Sequence, residues 1–424
     1  MPLAATLAHG ESRGRPLARS RVVTALVVGA ASVALAATVA TAAFTAYVAR
    51  VVIVPPKRRV ENTRVLGSTA ETVTLQSTDD SRTPGRYGFW FDGDRGYARV
   101  GEIVSRTATT VTRQLLSVEF GDLRASRRGR ISGAFYLHPS ELDVPVEDVE
   151  VATQVGSAPA WLVPAARSSD RWAILVHGRG VTRTEPIRAV PVFREAGYTS
   201  LLVSYRNDGV APSSDDGRYA LGSTEWRDVE AAMAFAVSRG AKHIVLMGWS
   251  MGGATSLQAS FLSPHRALLR GLALESPVID WRHVLNFQAK QQRVPHFVRT
   301  GALALLGTRW GGPFTGQSQP IDLNSLDLLE RANELNVPTL LMHSAGDLSV
   351  PVSASRELAR LRPDRVRYEE FADALHAKLW NRDSERFERV IAAWLGSLDL
   401  RAATGRTARS LRRTATGASS LRAR

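Results

Sequence analysis

The chain has 424 residues, 44% of them hydrophobic, a formal net charge of +14 and no cysteine. Its length and apolar content allow one large packed domain with appendages, and the missing thiols exclude disulfides, thiolate metal sites and a cysteine nucleophile. Residues 1–64 hold nine Lys/Arg against Glu11 and Glu61, residues 401–424 hold seven arginines and no acid, and the stretch between is electrically balanced. A basic excess confined to the flanks suits an anionic membrane surface and argues against a nucleic-acid partner, whose binding domain carries its cations on folded surface.

Residues 1–21 are rich in Ala, Ser and Arg and are expected to be a basic disordered N-terminus. Residues 22–49 carry no charge, and arginines stand on both sides at Arg19, Arg21 and Arg50. The run exceeds the about 20 apolar residues that a bilayer core needs as helix. Ala40-Thr41-Ala42 could serve as a signal cleavage site, but signal h-regions are about 7–15 residues long. The expectation is therefore an uncleaved, single-pass transmembrane helix. Arg13, Arg15, Arg19 and Arg21 precede it, and Arg50, Lys57, Arg58, Arg59 and Arg64 follow. That near balance does not fix orientation by the positive-inside rule; the expectation adopted is an extracytoplasmic catalytic region.

Residues 60–140 read as a small β-rich subdomain. Val73–Gln76, Tyr87–Phe91, Ala98–Val100 and Thr110–Thr112 are short β-favouring pieces, with turns at Asp79-Asp80, Pro84-Gly85 and Asp92-Gly93-Asp94. No chemistry is visible in it. From Val146 to residue 397 the rhythm becomes strand–helix alternation. Strands are expected at Val149–Gln154, Ala160–Val163, Ala173–Val176, Ser200–Ser204, Ile244–Met247, Gly271–Leu274, Thr339–Met342 and Arg367–Phe371. Helices are expected at Glu185–Ala196, Glu225–Ser238, Val352–Leu361 and Ser384–Leu395. This predicts an α/β class with a mostly parallel sheet and helices on both faces. The alternation stops between Trp281 and Ala332. That insert, about 282–332, holds Phe287, His296, Phe297, Trp310 and Phe314. It reads as a small cap over the C-terminal sheet edge, its aromatics shaping a pocket. Residues 401–424 lack apolar periodicity and are expected to be a basic disordered tail.

The stretch carrying most information is His243–Gly253, where an apolar strand runs into Gly248-Trp249-Ser250-Met251-Gly252 and a helical segment follows. G-x-S-x-G in that context is a strand-to-helix turn that exposes a serine, with Gly248 and Gly252 relieving the crowding. Ser250 is the candidate nucleophile, and a serine needs a base that is itself oriented by a third group. Asp347, on the loop after strand Thr339–Met342, is the candidate acid. His376, after the last strand and the only histidine beyond Asp347, is the candidate base. Asp373 lies on the same loop as His376 and is expected to make a local turn contact. His177-Gly178-Arg179-Gly180 follows strand Ala173–Val176. There the backbone N–H of Arg179, paired with that of Met251, could hold an oxyanion. His177 is read as turn-stabilising and the Arg179 side chain as solvated.

In this order, H-G-x-G, G-x-S-x-G, G-D-x-x-V-P and a late histidine, the sequence resembles the α/β-hydrolase superfamily. Within it the chain is similar to the serine-aminopeptidase, lysophospholipase and prolyl-oligopeptidase-like branch, including Ser204-Tyr205-Arg206 with Gly209 in a polar loop. The resemblance covers Val146 to Leu395, and not the membrane run, the β subdomain or the tail. It implies Ser250 as nucleophile, Asp347 as acid and His376 as base. The expected function is a membrane-anchored serine hydrolase that cleaves a carboxylic ester, acyl-lipid included, through an acyl-enzyme. A serine peptidase is the alternative, and a non-catalytic membrane-anchored binding protein on the same fold is the reading from another class. Partners would be a small-molecule or lipid ester, or a peptide, and the membrane through residues 22–49. No metal or organic cofactor is implied: the sequence has no H-E-x-x-H, no cysteine cluster and no P-loop lysine.

Overall fold

The uncharged N-terminal run forms one continuous helix, α1 (Leu17–Ile53), in the computed structural model of the protein, which describes residues 17–399. The rest of the N-terminal stretch and the basic tail, both expected to be disordered, lie outside the described residues. The helix starts inside the stretch expected to be disordered and runs past Ala49. Residues 24–44 are exposed throughout. At 1.5 Å per residue they span about 31 Å, close to the roughly 30 Å of a bilayer core. Thr24–Ile53 is long and apolar enough to cross a membrane.

The helix continues to Ile53 because its last turns dock on folded protein. Ala49 and Ile53 are fully buried. Tyr219 donates its backbone N–H to Ile53 O at 2.8 Å. Thr45 lies against Gly301, where an added Cβ would stand 2.9 Å from Thr45 Cγ2.

Strands β1 (Thr63–Ser68), β2 (Thr72–Gln76), β3 (Tyr87–Phe91), β4 (Gly96–Arg106), β5 (Thr110–Phe120) and β6 (Arg128–Ser132) close into an antiparallel barrel in the order β1-β2-β5-β4-β3-β6. Period-2 alternation points Val73, Leu75, Tyr87, Phe89, Phe91, Ala98 and Val100 into its core. Arg113 is also fully buried there. Its guanidinium donates to the carbonyls of Ser81, Thr83, Gly85 and Gly101 at 2.5–3.0 Å, so the charge is met by peptide dipoles.

The larger sheet comprises β7 (Glu147–Thr153), β8 (Gly156–Val163), β9 (Arg171–Val176), β10 (Thr199–Val203), β11 (His243–Trp249), β12 (Leu269–Glu275), β13 (Thr339–Ser344) and β14 (Val366–Phe371). Their order is β7-β8-β10-β9-β11-β12-β13-β14, and β8 alone runs antiparallel to its neighbours. Alternate residues feed two cores. Trp172, Ile174, Val176, Ile244 and Leu246 enter one; Ala173, Leu175, Val245, Met247 and Trp249 enter the other. Both faces are buried, which is why these strands read as unbroken apolar runs.

Helices α2 (Val190–Glu195), α3 (Trp226–Ser238), α4 (Met251–Leu262), α5 (Trp281–Gln291), α6 (His296–Gly307), α7 (Ser353–Leu361) and α8 (384–399) surround the sheet. The first helix expected there is split: Glu185–Ala189 is a 3₁₀ turn and α2 restarts at Val190. Pro191, with no N–H to donate, sits in the first turn of α2 and marks the break. Helices α5 and α6 interrupt the alternation as a cap, and α6 packs along α1.

Docking of α1 gives a first prediction. A chain starting at residue 44 should melt like the full chain. One starting at Pro56 loses the buried Ala49 and Ile53, about 1.5–3 kcal/mol for the isoleucine alone. Its hydrolase-fold transition should fall by about 5 °C or more in thermal melting.

Candidate active site

Strand β11 delivers its last residue, Trp249, to the C-terminal edge of the sheet, and α4 begins at Met251. Ser250 joins them with φ 52° and ψ −116°, a conformation disfavoured for a residue with a Cβ. The flanking glycines make the turn possible. A Cβ on Gly248 would meet Gly252 O at 2.4 Å, and one on Gly252 would meet Val176 O at 2.2 Å. Gly178 belongs to the same packing: an added Cβ would lie 3.4 Å from Ser250 Cβ.

The Ser250 hydroxyl donates to His376 Nε2 at 2.8 Å, and His376 Nδ1–H donates to Asp347 Oδ2 at 2.7 Å. The residues come from three separate loops, after β11, β13 and β14. Burial pushes the Asp347 carboxyl up, but the His376 charge and hydrogen bonds from His343 and His376 outweigh it and hold Asp347 well below the usual carboxylate range. Burial pulls the His376 imidazole down. The Asp347 charge and hydrogen bond, with Glu185 and Glu275 nearby, outweigh burial and raise it above the ordinary value. Asp373 takes no part in this relay and pairs with Arg382 at 2.9 Å, nine residues along the chain rather than within a tight turn.

The H-G-x-G turn follows β9. His177 is fully buried, stacked on Tyr205 at 4.2 Å between ring centroids, with Nε2 3.1 Å from Asp208 Oδ2. It braces the turn, as expected. The Gly178 N–H is taken by Glu185 Oε2 at 2.7 Å. Among the described residues no hydrogen bond is made by the backbone N–H of Arg179 or Met251. The side chain of Arg179 corrects the sequence reading, because it is not solvated. Its Nη2 donates to Val51 O at 2.7 Å and Val54 O at 3.1 Å, capping the end of α1, and the guanidinium lies 5.5 Å from the Tyr219 ring centroid. The last carbonyls of a helix have no intrahelical donor, and a cation there also meets the negative end of the dipole. Pro56 follows over Gly180, 2.9 Å from where a Cβ would be.

Several supporting residues escaped the sequence reading. His343 is fully buried; its Nε2–H reaches Asp347 Oδ2 at 3.1 Å and its Nδ1 accepts from Ser355 of α7 at 2.7 Å. Ser349 and Val350 donate backbone N–H to Asp347 Oδ1 at 2.8 and 2.9 Å. The i,i+4 spacing of His343 and Asp347 was the available signal. Arg188 is 1% exposed and donates to Ala377 O and Asn381 Oδ1, both at 2.8 Å, so it holds the loop that bears His376. The cap aromatics Phe297, Trp310 and Phe314 are 63%, 59% and 53% exposed. Among the described residues no group of three or more His, Asp or Glu could hold a metal ion.

The family model described as the alpha/beta hydrolase family matches residues 173–393. A second model, described as a domain of unknown function, matches residues 64–132, the barrel. No curated protein matches the chain. Among solved structures, an esterase from Pyrococcus furiosus is 18% identical, with 62% of this chain and 94% of that one covered at a TM-score of 0.48. A thermophilic esterase from Thermogutta terrifontis is 18% identical over 59% of this chain and 99% of its own, TM-score 0.42. The esterase RhEst1 from a Rhodococcus species gives 18%, 59%, 99% and 0.41. At these values the likenesses say nothing of substrate.

The raised His376 value sets a pH dependence. A general base must be neutral, so with His376 as the candidate base kcat/KM is expected to fall as pH drops through that raised value. Removing the Asp347 charge lowers the imidazole pKa, so the acid limb of Asp347→Asn should move to lower pH. Rate–pH profiles of the two proteins check it; an unmoved limb would assign the titration to another group.

Proposed function

The chain belongs to the α/β-hydrolase family, and on that footing we propose that it is a membrane-anchored serine hydrolase that cleaves carboxylic esters through an acyl-enzyme. The observation that carries the proposal is the unbroken relay from Ser250 through His376 to Asp347, with both links at 2.7–2.8 Å. His376 Nε2 takes the hydroxyl proton as Ser250 Oγ attacks the ester carbonyl carbon. The carbonyl electron pair moves onto oxygen, where the N–H groups of Arg179 and Met251 receive it. Collapse of the tetrahedral species expels the alcohol, which leaves with the proton from His376. Water then repeats the attack, releasing the acid and restoring Ser250. Asp347 holds the imidazole in one tautomer and stays ionised, as its lowered pKa favours.

An ester, and in particular an acyl ester from a lipid phase, is favoured by the apolar helix that enters the catalytic region beside the oxyanion turn. The division into span 22–49, β subdomain 60–140, catalytic region 146–397 and cap 282–332 belongs to the same proposal. Activity on acyl esters of graded chain length, set against aminoacyl amides, tests ester against peptidase chemistry. A fluorophosphonate that fails to label Ser250 would favour a binding protein.

The assignment of the acid yields a sharper test. Asp347→Asn should lower kcat by about 10⁴-fold. Asp373→Asn disturbs only the exposed pair with Arg382 and should cost less than about tenfold. Adding Ser250→Ala or His376→Ala to Asp347→Asn should lower activity little further, since the three act as a unit. Folding of each variant is checked by thermal melting, and a crippled Asp373→Asn beside a normal Asp347→Asn would reverse the assignment.

A further inference from the structure

Where α1 meets the cap there is a groove of ≈ 210 Å³, separate from the relay at Ser250. One wall is α1 itself, through Phe44, Tyr47 and Val51. The other is the cap, through Ala289 of α5 and Ala302 and Leu303 of α6. The lining is mainly apolar. We propose that this groove binds one acyl chain of a bilayer glycerophospholipid, with the lipid phosphate at Arg299. The proposal rests on the membrane-anchored reading above and extends it to a lipid site.

Position argues for that occupant. The exposed part of α1, residues 24–44, matches a bilayer core in length and ends where the groove begins. Phe44 and Tyr47 stack there with centroids 6.4 Å apart and remain 44% and 62% exposed. Aromatic side chains concentrate at the level of lipid headgroups, so the pair sets the groove mouth at the membrane surface. A hydrocarbon chain leaving the bilayer at that level meets apolar walls without crossing water, and each methylene buried is worth about 0.8 kcal/mol.

Charge argues for a phospholipid. Arg299 lines the groove, and its Nε is buried with no hydrogen-bond partner among the described residues. A buried guanidinium N–H without an acceptor is costly, and a phosphate oxygen is the acceptor its planar fork fits. Arg50, Lys57 and Arg58, all exposed just after the span, add attraction for an anionic headgroup layer. Val51 also lines the groove, and its carbonyl is held by Arg179 of the H-G-x-G turn. The site therefore adjoins the proposed catalytic machinery without sharing a side chain with it.

The full chain, reconstituted in vesicles of phosphatidylcholine and phosphatidylglycerol, would be irradiated with a trace of phosphatidylcholine bearing a diazirine at one acyl terminus. Peptide mapping should find label on α5 and α6 between residues 285 and 306, besides label along 24–44. Ala289→Trp fills the groove and should cut cap labelling by about fourfold for each methylene no longer buried. Arg299→Gln, which leaves the apolar walls intact, should cut it too. Thermal melting confirms each fold, and if Ala289→Trp fails to fold, Arg299→Gln decides alone. Label confined to 24–44, or cap label equal in wild type and folded variants, overturns the lipid site. Flotation with the same vesicles is scored separately. A chain that floats without cap label sinks only the groove proposal, and a chain that does not float sinks the membrane reading and the lipid occupant with it.

Discussion

Ser250 sits at a positive φ with a side chain attached, and the rest of the site is arranged around keeping it there. Such a state costs on the order of 1–3 kcal/mol and persists only where surroundings over-determine it. Here Ser250 N–H is bound to Glu275 O at 3.0 Å, and its carbonyl accepts from Gly253, Ala254 and Val278 at 3.0–3.3 Å. The absence of side chains at Gly178, Gly248 and Gly252 lets β9, β11 and α4 approach closely enough to make those bonds. The Glu275 carboxylate extends the same lock: it accepts from the Trp249 indole and from Leu379 N–H, and Arg188 lies 3.6 Å away. Burial raises its pKa against the pull of Arg188. One buried carboxylate thus ties β11 to the segment that follows His376.

Much of this was legible in the sequence, for a physical reason. Strands β9, β11, β12 and β13 are covered on both faces, so they appear as unbroken apolar runs, and Ser250 and Asp347 each follow such a run, whereas His376 follows the half-exposed edge strand β14. Adjacency in the chain then stands in for adjacency at the sheet edge. What was not legible depends on contacts distant in sequence. Closure of the barrel rests on pairing Thr63 with Gly129 and Arg64 with Arg128. The solvated reading of Arg179 failed because its partners, Val51 and Val54, lie more than a hundred residues earlier. The support that His343 gives Asp347 was not visible because its other partner, Ser355, belongs to the next helix.

Arg179 joins two tasks. Its backbone belongs to the turn proposed to receive the oxyanion, and its side chain closes the end of α1. Burial lowers the pKa of its guanidinium, with the Tyr219 and Tyr205 phenols opposing. The charge is met by helix carbonyls rather than by a carboxylate, so the end of α1 is part of that charge's solvation. The end of α1 and the H-G-x-G turn are therefore a single electrostatic unit.

The barrel touches the active centre from the other side. Lys378 pairs with Asp80, Asn381 donates to Arg86 O and Gly133 O at 2.9 and 3.0 Å, and Arg86 stacks over Trp380 at 4.1 Å. Arg113, buried in the barrel, ties down the Ser81–Gly85 loop that lies between Asp80 and Arg86. Drift of sequence in residues 64–132 is thereby answerable to the segment around His376, although none of the barrel's side chains enters the relay. The two segments should be inherited as a matched pair, and a lineage that exchanged one barrel for another would have to rewrite residues 377–382 with it.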